Sequence, residues 1–146
     1  MSGFVDPTRE VMAAFRDLPL DRPIAMINLL RFREAAAYPD DHPEAGAGHT
    51  GAKAYGLYGR AAAKPFAAAG GTQVWLGKPE LTVIGPSDEA WDLAFIARYP
   101  TGQAFVDMLR NPEYQQAVVH RQAAVADSRL IRCEPQDAGS GFGEKC

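Results

Sequence analysis

The chain has little of the material from which most catalytic motifs are built. Two cysteines and three histidines in 146 residues make neither a disulfide framework nor a spaced zinc site. Cys133 falls in an expected strand and Cys146 is the last residue, so a buried thiol and a tail thiol are expected. No apolar run approaches the roughly 20 residues that a membrane helix needs. Lys and Arg number 15 against 18 Asp and Glu, a net charge of −3. With no basic block, a nucleic-acid partner is not expected. The opening MSGFVDPTREVM has neither the basic start nor the apolar stretch of a secretory signal, so a cytoplasmic location is expected. There is no phosphate loop, no hydrolase elbow and no flavin or haem motif, and no cofactor or metal is expected.

What is present is an ordinary globular composition, 47% apolar and 23% charged. A chain of this length hides about 68–70% of its surface on folding, enough for a single core without staples. Asp6-Pro7 supplies a helix cap and first-turn proline, and Val11, Met12, Phe15 and Leu18 follow at helical spacing to about Asp17. IAMINLLRF is a continuous apolar run of strand length. Its Ile24, Met26, Leu30 and Phe32 alternate with Ala25, Ile27 and Leu29, so both faces need cover. AYPDDHPEAGAGHTG reads as a surface loop.

Thr50 then caps a helix predicted over Gly51 to Ala69. Tyr55, Tyr58, Ala62 and Phe66 gather on one side of it, Lys53, Arg60 and Lys64 on the other, and Pro65 is a possible kink. Gly70-Gly71 ends it. TQVWLG and ELTVIG are strand-like pieces separated by a Gly77-Lys78-Pro79 turn, and WDLAFIARY is another strand. Thr101 caps a short helix, Asn111-Pro112 restarts the helical pattern to about Ala126, and RLIRC is the last strand. The polar, Gly-rich EPQDAGSGFGEKC reads as a flexible tail.

This order, an initial helix followed by βαββαβ, is the ferredoxin-like α+β pattern, with both crossover helices on one face of an antiparallel sheet. The expected divisions are an N-terminal helix over 1–20, the ferredoxin-like domain over 21–135 and the tail over 136–146. The apolar second face of the first strand predicts a homodimer in which two sheets pack face to face.

Several motifs, in consistent order, carry a family resemblance. NLLRFRE with AYPDDH, AYGLYGRAAAKPF ending in GG, VIGPSDEAWD with ARYPTGQAFVDMLRNPEY, and HRQAAVADSRLI together resemble the family catalogued as domain of unknown function 1330, over roughly Ile24 to Pro135. The family is similar to the dimeric α+β barrels, whose relatives include small monooxygenases, isomerases and haem-handling enzymes. The resemblance therefore implies the fold and the dimer, and by analogy cofactor-free oxygenation or isomerisation. It carries no catalytic set with it.

The candidate site residues come from the helical projections. At about 100° per residue, Tyr114, Ala117, Val118, Arg121 and Val125 share the stripe of the last helix that should meet the sheet. An arginine there needs acceptors, and its planar fork suits a ligand carboxylate, phosphate or enolate. The competing reading pairs it with Asp92 or Asp127, or lets it snorkel past the helix edge. His120, at the rim of that face, is a candidate acid or base. Tyr55 and Tyr58 could bind or polarise a carbonyl, or simply be core phenols. Asn28, polar amid the first strand, would meet a ligand or a neighbouring group. The site expected is thus His120, Tyr55 and Tyr58 for chemistry, with Arg121 and Asn28 for binding. Its occupant would be a small anionic or carbonyl-bearing molecule, and the alternative is a non-catalytic binding or sensing dimer. In the loop, Asp40, Asp41, His42, Glu44 and His49 match no standard metal spacing. Trp75 and Trp91 read as core or interface aromatics.

Overall fold

A computed structural model describes residues 3–139 and Gly141. The elements follow the expected order: α1 (Arg9–Asp17), β1 (Ile24–Phe32), α2 (Gly51–Ala68), β2 (Thr72–Gly77), β3 (Leu93–Tyr99), α3 (Gly102–Arg110), α4 (Pro112–Ala124) and β4 (Val125–Cys133). The strands form one four-stranded sheet in the order β2-β3-β1-β4, with every neighbouring pair antiparallel. This is a ferredoxin-like α+β fold with an added N-terminal helix.

The helix starts rest on side-chain caps. Thr50, Thr101 and Asn111 accept from the backbone N–H groups of Lys53, Ala104 and Glu113, satisfying donors that have no partner inside the helix. The α1 start departs from expectation. Thr8, not Asp6, caps it by accepting from Val11 N at 3.1 Å, while Asp6 accepts from the Gln122 amide. α2 continues through Pro65, which is fully buried, and ends on Gly70 at φ 76°, a left-handed position that favours glycine.

Two further expectations fail. ELTVIG forms no strand, and Leu81, Val83 and Ile84 are 79%, 83% and 94% exposed. β2 ends at Gly77 and Pro79 offers no backbone donor, so no ladder carries into the segment. The last helix stops at Ala124 rather than Ala126, and β4 begins four residues before Arg129. The β-branched Val125 takes extended dihedrals (φ −95°, ψ 125°) while its N–H closes the final helical bond to the Arg121 carbonyl.

The core lies between the sheet and the helices. Ile24, Met26 and Leu30 of β1 are buried on that side. Met26, Tyr99, Phe105, Val106, Met108, Tyr114 and Ala117 form one cluster with Phe15 of α1, and Phe15 meets Phe105 at 5.3 Å between ring centroids. On the other face, one register row crosses all four strands as Trp75, Ile96, Ile27 and Ile131. Trp75 and Ile131 are half exposed, and nothing in the described chain covers them. Trp91 lies beneath the Arg129 guanidinium at 5.2 Å. Cys133 is a free, partly exposed thiol. Cys146 and residues 140 and 142–145 of the expected tail lie outside the described residues. No described helix is long and apolar enough to cross a membrane.

Candidate functional site

A cavity of about 570 Å³ opens between the helix-side face of the sheet and the helices. Its floor is the even-numbered side of β1 and the residues in register with it: Asn28 stands between Phe95 and Leu130, and Met26 between Ala97 and Arg132. The helices supply its walls through Met12 and Phe15, Tyr55, Tyr58 and Phe66, and Tyr114 and Arg121. Such a volume is ordinary for a small-molecule site. Of the five residues expected to form a site, Asn28, Tyr55, Tyr58 and Arg121 line this cavity.

The tyrosines form a connected row. Phe32 meets Tyr55 at 5.2 Å between centroids, Tyr55 meets Tyr58 at 5.3 Å, and Tyr58 meets Tyr114 edge-on at 6.1 Å. Their hydroxyls differ in use. Tyr58 and Tyr114 share a 2.8 Å hydrogen bond, whereas the Tyr55 hydroxyl has no hydrogen-bond partner among the described residues. Desolvation pushes the pKa of Tyr55 and of Tyr58 well above the ordinary phenol value, against a smaller opposing pull from Arg121. These phenols are hydrogen-bond donors across the accessible pH range, not bases.

Arg121 has no carboxylate partner. One terminal nitrogen donates to the Val5 carbonyl and the other reaches Ser128 Oγ at 3.5 Å. The internal pairing with Asp92 or Asp127 does not form. Asp92 accepts from Phe32 N where β1 ends, and Asp127 pairs with Arg129 at 2.9 Å and Arg31 at 3.4 Å. The Val5 contact belongs to a short N-terminal strap, in which Ser128 Oγ also donates to the Phe4 carbonyl and Phe4 N to Asp127. Asn28 donates its amide to the Met26 carbonyl at 3.1 Å. Its side-chain oxygen accepts no hydrogen bond among the described residues.

His120 is placed elsewhere, away from the lining of the large cavity. Its Nδ1 is 2.6 Å from the Tyr38 hydroxyl, and its ring meets His42 edge-on at 5.4 Å. Tyr38 stacks on His42 at 4.7 Å, and Glu44 stands 3.5 Å from His49. All three histidines of the chain thus collect where the loop after β1 lies over α4. Desolvation, then the neighbouring His42, holds the His120 pKa below its ordinary value, with Glu44 opposing. A separate cleft of about 430 Å³ adjoins His42, Glu113 and His120. Among the described residues no group of three or more side chains is arranged to hold a metal ion.

Sequence reasoning placed Tyr114 on the correct stripe without giving it a role, and it missed Tyr38, Ser128 and the Val5 carbonyl. Tyr38 lay in a stretch read only as loop. The strap depends on a contact between residues more than 100 positions apart, which no local pattern announces.

Residues 48–133 match a protein family described as Domain of unknown function (DUF1330). No curated protein matches the chain in sequence. Among solved structures, the crystal structure of methylated RPA0582 protein is 51% identical over 96% of this chain and 100% of its own, with a TM-score of 0.88. RPA0582, a protein of unknown function from Rhodopseudomonas palustris, gives 52% identity over 94% of this chain and 100% of its own, with a TM-score of 0.86. A dimeric protein of unknown function with a ferredoxin-like fold, from Bacteroides fragilis, is 14% identical over 79% of this chain and 98% of its own, with a TM-score of 0.47. With that pattern spanning more than half of its length, the chain belongs to the DUF1330 family.

Proposed function

We propose that this is a homodimeric small-molecule-binding protein that holds an anionic or carbonyl-bearing ligand in the cavity between sheet and helices. The observation that carries the reading is Arg121, a cation with no carboxylate partner on the wall of a cavity lined mainly by apolar and aromatic side chains. A guanidinium removed from bulk water is stabilised by an anion or several good acceptors, and one neutral carbonyl plus a long contact to a hydroxyl leaves that need partly unmet. The unpartnered hydroxyl of Tyr55 and amide oxygen of Asn28 line the same cavity.

Binding, with polarisation of a carbonyl by phenolic donors, is better supported than acid–base turnover. Both candidate phenols are held protonated, His120 lies in another cleft, and the wall carboxylate of Asp6 accepts from Gln122. The dimer reading rests on the apolar row of Trp75, Ile96, Ile27 and Ile131 on the uncovered face.

A native mass spectrum of freshly purified protein tests both halves. A dimer carrying non-covalent mass that leaves on denaturation is the expected result. A bare monomer overturns the interface. A bare dimer whose melting temperature is unmoved by carboxylates and ketones overturns the binding site.

A further inference from the structure

The large cavity is lined mostly by apolar and aromatic side chains with a few polar groups among them. We propose that its ligand is a monocarboxylate with an apolar body, an inference that rests on the cavity being a binding site as argued above. Two cations line the wall, and Arg121 has the weaker acceptors, one backbone carbonyl and a hydroxyl at 3.5 Å. The other, Arg132, donates to the Phe15 and Pro19 carbonyls at the end of α1 and lies over the Phe15 ring at 4.5 Å. One available guanidinium balances one negative charge. A phosphate dianion would be left under-neutralised and would lie in the same cavity as the Asp6 carboxylate.

The head-group geometry also favours a carboxylate. The guanidinium fork meets its two oxygens side by side, replacing the neutral Val5 carbonyl with a charged acceptor. The Tyr55 hydroxyl, kept protonated by burial, is a further donor. Most of the remaining lining, including Met26, Phe66, Phe95, Phe105 and Met108, offers aliphatic and aromatic surface to the body of the ligand. Ligand entry therefore exchanges the strap's hold on Arg121 for a charge pair. The strap is coupled to occupancy through that one side chain.

The test is titration calorimetry on the full chain with octanoate, 2-octanone, octyl phosphate and acetate. Octanoate is expected to bind most tightly. Arg121→Gln is expected to weaken it on the order of tenfold to a hundredfold, the range for hydrogen bonds to a charged group, and to weaken 2-octanone by less. Because Arg121→Gln also loosens the strap, Tyr55→Phe serves as a second variant, with an expected loss of roughly threefold to tenfold. If 2-octanone or octyl phosphate binds as tightly as octanoate, the carboxylate assignment is wrong and the binding cavity stands. Octanoate affinity unmoved in both variants has the same meaning. Failure of all four probes overturns the cavity reading itself.

Discussion

The Tyr58 hydroxyl stands 2.8 Å from the Tyr114 hydroxyl, bridging α2 and α4. Each ring is largely buried, so each hydroxyl needs the other. Tyr58→Phe or Tyr114→Phe should each cost about 1 kcal/mol, the usual net value of such a bond. The double variant should cost less than the sum, because the second change removes a hydroxyl that has already lost its partner. Denaturant melts of the four proteins in the cycle give the coupling directly, and strict additivity would mean that the bond contributes nothing.

The histidine corner makes stability depend on pH. His120 has its pKa lowered in the fold, first by desolvation and then by His42, with His49 adding to the effect and Glu44 opposing it. Tyr38 faces it from the loop, and Glu113 and Gln116 of α4 and Ala61 of α2 share its cleft. A lowered folded pKa means that the unfolded chain takes up the proton first, so stability is complete above the unfolded value near 6.5. It should fall as pH drops through that value toward the lower folded one. Thermal melts between pH 8 and about 5 should show this slope, and His120→Asn should flatten it. Equal slopes would place the titration in another group.

Much of this was legible in the sequence because it is local. Thr50, Thr101 and Asn111 cap helices whatever surrounds them, and the apolar spacing of α2 placed Tyr55 and Tyr58 on the cavity side. The failures are tertiary. ELTVIG has the composition of a strand, but pairing needs a neighbour that its own chain does not provide. Asp6 and Thr8 are both competent caps, and the choice follows from Gln122, which bonds Asp6 from α4. His120 is one residue from Arg121, and about 100° of helix rotation sends one ring to the loop while its neighbour reaches the cavity.

The outer face of the sheet carries the oligomer prediction. Ile131 is 49% exposed in line with Ile27, Ile96 and Trp75. Ile131 is not among the residues that line the cavity. Ile131→Lys should therefore turn a dimer into a monomer by sedimentation while leaving the far-UV spectrum of the fold intact, since a lysine placed in an apolar interface must be desolvated twice over. A variant that still sediments as a dimer would mean that association uses another surface.

Gly51 and Gly56 lie on the same helix and should respond oppositely to alanine. At Gly51 an added Cβ would lie 2.1 Å from the Arg33 carbonyl oxygen and 2.8 Å from that of Ala124, where the end of β1, the start of α2 and the end of α4 converge. Both are backbone atoms held in hydrogen bonds, Arg33 O by Gly51 N and Ala124 O by Arg33 N, so neither can yield without breaking a junction. Gly51→Ala should cost on the order of 1–3 kcal/mol or more. It should also disturb the cavity, because Tyr55 follows one turn later. Gly56 has nothing within 4 Å of its would-be Cβ and stands in the helix interior, so Gly56→Ala should gain up to about 1 kcal/mol from helix propensity alone. Paired melts measure the contrast. If Gly51→Ala were as stable as the unsubstituted chain, the close approach of α2 to β1, which sets where Tyr55 points, would be absent in solution.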